Sequence, residues 1–174
     1  IKAPRKSLIK SLRTHSGVRN INIDGIHDYL VIRRFSGDDV IWSKWPNFDP
    51  ATKIEEYRQR TCSLAIIRRL NLAVPGVSLM AFVSDSPMIP SKMLWCLKGI
   101  EEDDSRILSL WFNSTPGLLA MLSQRVETEG SFSGWDKKDW ERVMTINVQD
   151  LSEKDKRKLL DIYERVKKTT FPSL

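Results

Sequence analysis

Six cations precede the first carboxylate of this chain. Lys2, Arg5, Lys6, Lys10, Arg13 and Arg19 fall within residues 1–23, and the first acidic residue is Asp24. Ser7, Ser11, Thr14, His15 and Ser16 are interleaved with them and supply donors of the kind that position phosphates. A one-signed run is also what a solvated face or a mobile arm looks like, so both readings stand. His15 and His27 lie among polar residues without a clear nucleophile partner, and surface histidines are expected. Cys62 and Cys96 each sit in an apolar run, with no Cys or His at metal-ligand spacing. Two buried, reduced thiols in a reducing, cytoplasmic setting are expected. Glu101-Glu102-Asp103-Asp104 suits a helix start better than a metal site, because carboxylates favour the positive end of the helix dipole. Asp136-Lys137-Lys138 matches the last piece of a metal-nuclease motif, but helix starts are rich in such residues.

The elements that must position these groups follow from patterning. The 174 residues are 41% hydrophobic and 29% charged, enough for one domain with a sizeable core. The net charge of +6 favours an acidic partner, of which nucleic acid is the commonest. No apolar run approaches a membrane span, and no leader pattern is seen. Tyr29-Leu30-Val31-Ile32-Arg33-Arg34-Phe35 reads as a strand, and residues 40–50 as irregular. Trp42, Trp45 and Phe48 in that stretch suit either base stacking or the edge of a core. Residues 53–60 read as a charged helical turn. Three strands follow at about 63–70, 77–83 and 93–100, with breaks at Pro75-Gly76 and at 84–91. Residues 144–148 look extended. The final helix, opened by Ser152, is expected to bury Leu159, Leu160, Ile162, Tyr163 and Val166 beneath a basic outer face.

Between the strands and that helix, Ile107, Leu108, Leu110 and Trp111 recur at helical spacing, as do Leu118, Leu119, Met121, Leu122 and Val126. Ser114 or Thr115 can cap the second helix, and Pro116 fits its first position. The fold class expected is α+β: a small mixed or antiparallel sheet, a central helical hairpin and a C-terminal amphipathic helix. Residues 1–174 are read as one domain, with a basic N-terminal arm (1–23), a core (24–150) and a last helix (151–174).

The wording of the central stretch carries a resemblance. Leu110-Trp111-Phe112-Asn113-Ser114-Thr115-Pro116-Gly117-Leu118-Leu119, followed by Arg125-Val126-Glu127-Thr128-Glu129-Gly130 and an aromatic strand, resembles the C-terminal target-recognition region of adenine-specific (N6) DNA methyltransferases of restriction–modification type. Ser7-Leu8-Ile9-Lys10-Ser11-Leu12-Arg13-Thr14-His15-Ser16-Gly17 and Asp28-Tyr29-Leu30-Val31 fit the same family. So do Ala73-Val74-Pro75-Gly76-Val77-Ser78 and Pro90-Ser91-Lys92-Met93-Leu94-Trp95.

That resemblance implies a module that reads DNA sequence for a catalytic domain elsewhere in a longer chain, an expectation that fits a chain beginning at Ile1. An adenine methyltransferase needs an Asn/Asp-Pro-Pro-aromatic loop for the extruded base and a Gly-rich turn for S-adenosylmethionine. Neither occurs here, since Asn47-Phe48-Asp49-Pro50 lacks the paired prolines. No methyl transfer is therefore expected of this chain, which would need no cofactor, while the parent protein would need S-adenosylmethionine. Arg5, Lys6, Lys10, Arg13, Arg19, Lys137 and Lys138 are expected to hold phosphates of double-stranded DNA. Gln124, Arg125, Glu127 and Thr128 are expected to read base edges, although helix-end contacts explain Arg125 and Glu127 equally well. An RNA-binding module and a protein-interaction domain are the alternatives.

Overall fold

The apolar run from Cys62 to Leu70 is the spine of the molecule, and it does not form one strand. The computed structural model describes residues 8–31, 56–71, 79–124, 126–127 and 132–172. In it the run divides at Arg68 into β3 (Cys62–Ile67) and β4 (Arg69–Asn71), which enter two different sheets. The first sheet also contains β1 (Leu8–Leu12), β2 (Asp28–Val31), β5 (Ala81–Pro90) and β6 (Leu94–Leu97), in the order β2-β1-β5-β3-β6. β1 and β5 run parallel, and the other neighbours are antiparallel. The second sheet orders β4, β8 (Phe132–Gly134) and β7 (Val126–Glu127), all antiparallel. Leu64, Ala65, Ile66 and Ile67 are all buried, so β3 is covered on both faces.

The helical pair forms as its spacing predicts. α1 (Glu102–Phe112) starts with three carboxylates in its first turn and buries Ser105, Ile107, Ser109 and Phe112. α2 (Thr115–Ser123) is capped by Ser114, whose Oγ accepts from the Gly117 amide at 3.2 Å. The turn between them is tight enough to demand a glycine. A Cβ built on Gly117 would lie 2.0 Å from the Trp111 carbonyl oxygen. Asn113, at the end of α1, fastens the pair to the sheet: its Oδ1 accepts from the Met80 and Ala81 amides at 2.7 and 3.1 Å. Then come α3 (Lys137–Trp140), with a capping box between Asp136 and Asp139, and α4 (Glu153–Val166), capped by Ser152. α4 packs beside α1.

Several expectations are corrected. Residues 8–23 are not an arm: β1 is an inner strand, Leu12, Ile21 and Ile23 are buried, and the Asn22 amide donates to the Lys167 carbonyl at 3.2 Å. Residues 84–90 do not break the sheet, because Met88 is buried and pairs with Cys62 beyond a register shift. Residues 144–147 form no strand, and a 3₁₀ turn spans Val148–Asp150. On α4 only Tyr163 is fully buried, while Ile162 is exposed. His15 is buried at 8% exposure, not on the surface. The strand at Tyr29 is described as far as Val31; the rest of it, Trp42, Trp45, Phe48 and the break at Pro75-Gly76 lie outside the described residues. No helix among the described residues is long and apolar enough to cross a membrane.

Candidate nucleic-acid interface

β1 and β5 end side by side, with Ser11 opposite Ile89 and Leu12 opposite Pro90. The chain then turns into β6 through Ser91 and Lys92. This turn is held by the Ser91 amide on the Leu12 carbonyl at 2.9 Å and the Leu94 amide on the Ser91 carbonyl at 3.0 Å. A helical turn leading into β3 brings Tyr57 and Arg60 to the same place, with the Arg60 amide donating to the Tyr57 carbonyl at 2.9 Å. The result is an open groove of about 630 Å³. Arg13, Arg60 and Lys92 supply its charge, Tyr57 and Trp95 its rings, and Ser11 and Ser91 its hydroxyls. Among the described residues none that lines it is acidic.

The Trp95 ring is held in place. The Trp95 indole donates through Nε1 to the Trp135 carbonyl at 2.9 Å, and the Arg68 guanidinium lies 4.8 Å from its ring centroid. Arg60 lies 5.9 Å from the Tyr57 centroid. Arg68 also reaches Asp136 at 3.4 Å, which ties the start of α3 to this flank of the groove. Lys137 and Lys138 follow directly, both exposed, with Lys137 at 3.8 Å from Glu141. Cys96 lines the groove and Cys62 lies buried behind it; both thiols are free. Cys96 Sγ donates to the Arg60 carbonyl at 3.4 Å, and the neighbouring Cys62 thiol and Lys98 favour its thiolate against the opposing effect of burial. The proximity of Cys96, together with burial, pushes the Cys62 thiol up.

The expected phosphate ligands separate into groups. Arg13 lies in the groove and Arg19 is exposed away from its lining. Lys10 is corrected: it is an internal ion-pair partner of Asp24, and it donates to Ser84 Oγ at 3.0 Å. Burial raises the pKa of Asp24, but hydrogen bonds from Lys10 and the Asp85 amide outweigh this and hold the carboxyl below its ordinary range. Arg5, Lys6, Arg125 and Thr128 lie outside the described residues, as does the Glu127 side chain; the Glu127 backbone pairs with Ser133. Gln124 is half-buried at the end of α2, where its amide donates to the Met121 carbonyl at 3.1 Å. Residues missed by sequence reasoning as groove cations are Arg60 and Lys92. They come from separate segments, and the one signal for them was Lys92 within Pro90-Ser91-Lys92-Met93-Leu94-Trp95. Among the described residues no three His, Cys, Asp or Glu side chains group to hold a metal ion.

No family model and no curated protein matches the chain. Among solved structures, its fold is similar to that of the type IIG restriction endonuclease BpuSI, with a TM-score of 0.66 at 17% sequence identity. The likeness covers 99% of this chain and 22% of that one. The present chain thus corresponds to about a fifth of that enzyme's length.

Proposed function

We propose that this chain is a DNA-binding module that supplies sequence specificity to an adenine-specific DNA methyltransferase of a restriction–modification system. The observation that carries the reading is the groove, in which Arg13, Arg60 and Lys92 converge with no carboxylate among the described lining residues. Such a surface attracts a polyanion and loses affinity steeply with salt. The fold shared with a restriction endonuclease supports DNA as that polyanion.

Phosphates would be held by the groove cations and by Lys137 and Lys138, which sets the register of the duplex without reading it. Sequence would be read by Gln124, which closes α2, and by Arg125, Glu127 and Thr128, which follow it in the sequence. The module itself transfers no methyl group. The catalytic domain and its S-adenosylmethionine would belong to the rest of the parent protein. The test is a competition at equal salt between duplex DNA, single-stranded RNA and an acidic peptide, followed by selection from a random duplex pool. Preference for duplex DNA with an enriched sequence is expected. Preference for RNA, or enrichment of no sequence, would overturn the reading.

A further inference from the structure

We infer that the groove receives one unpaired nucleotide of bound DNA, with its base stacked on Trp95 and its flanking phosphates held by Arg13, Arg60 and Lys92. The inference rests on the DNA-binding reading and goes further, because it names what enters the groove.

A surface that only follows phosphates needs cations and hydroxyls, a tyrosine's included, and gains nothing from an indole ring. This groove has both Tyr57 and Trp95 in its lining. Trp95 is fixed twice, by its hydrogen bond to the Trp135 carbonyl at 2.9 Å and by the Arg68 guanidinium at 4.8 Å. A ring already immobilised loses little freedom when a base stacks on it, so more of the stacking energy appears as affinity. The size is also sufficient. A space of about 630 Å³ is within the range of pockets that enclose one small ligand. Ser91, beside Lys92 in the turn, adds a hydroxyl for the base edge or a phosphate oxygen.

The experiment compares two duplexes of the same sequence, one fully paired and one with a single bulged 2-aminopurine. Anisotropy gives the affinity ratio and 2-aminopurine fluorescence gives the stacking. The bulged duplex is expected to bind about five- to a hundredfold more tightly, the span of one base–aromatic stack, with its fluorescence quenched. In Trp95→Leu the ratio should fall to about one and the quenching should disappear. Should Trp95→Leu fail to fold, Trp95→Phe, which keeps a smaller ring at the site, should bring the ratio below that of the wild type with weaker quenching, and an unchanged ratio and quenching would overturn the stack on Trp95. Equal binding of both duplexes without quenching would overturn the inference and leave the DNA-binding reading intact. Binding to neither would overturn both.

Discussion

The Arg68 guanidinium lies 4.8 Å from the centre of the Trp95 ring and 3.4 Å from the Asp136 carboxylate. One side chain thus joins the break between β3 and β4, the edge strand β6 and the start of α3. Both contacts are partly exposed, with the Arg68 side chain at 38%, so each is modest. Arg68→Ala is expected to cost about 0.5–1 kcal/mol of stability, the size of an exposed cation–π contact. Urea denaturation measures it.

Asn113 makes a larger contribution. Besides accepting from the Met80 and Ala81 amides, its Nδ2 donates to the Ala81 carbonyl at 2.8 Å. Met80 and Ala81 are buried, so truncation leaves three backbone groups without these partners. Asn113→Ala is expected to destabilise by about 2–4 kcal/mol, read from the shift of the urea midpoint at unchanged slope.

His15 makes stability depend on pH. Burial holds its imidazole below the ordinary value of 6.5, and its Nδ1 is buried without a hydrogen-bond partner. The unfolded chain therefore binds the proton more readily than the folded one. This contribution is complete above pH 6.5 and is lost as pH falls from there towards the folded pKa. Urea midpoints measured from about pH 7.5 down to about pH 5, the range in which histidines titrate, should fall for the wild type. They should fall less for His15→Leu.

The two thiols should differ in reactivity. Cys96 opens on the groove and its thiolate is favoured, while Cys62 is buried and its thiol is pushed up. A small maleimide is expected to label Cys96 well before Cys62, as followed by peptide mass mapping. Duplex DNA should slow the labelling of Cys96 if it covers the groove, whereas unchanged labelling under saturating DNA would place the DNA elsewhere.

What was legible in the sequence was local. Ser114, Pro116 and the apolar spacing around them specify the helical pair, and Asp136 with Asp139 specifies the start of α3. Non-local pairing was not legible. The run through Leu70 reads as one strand because nothing in it announces that Arg68 must turn to meet Trp95 and Asp136. Ser84, Asp85, Ser86 and Pro87 have the composition of a turn, yet the buried Met88 keeps that stretch in the sheet. Lys10 looked available for phosphate because its partner Asp24 lies 14 residues away across the fold. The groove follows the same rule: Arg13 is recognisable from its charged run, but Arg60 from one segment and Lys92 with Trp95 from another join it only once the three segments have folded.

The most direct measurement is fluorescence anisotropy of a short mixed-sequence duplex, titrated with salt, for the wild type and for Arg13→Ala/Arg60→Ala/Lys92→Ala. The wild type should bind with an affinity that falls linearly on a log–log plot against salt. The triple variant should bind more weakly with a slope shallower by roughly 3, since each lost phosphate contact removes about 0.9. Equal slopes and affinities for the two proteins would contradict the assignment of this groove to DNA.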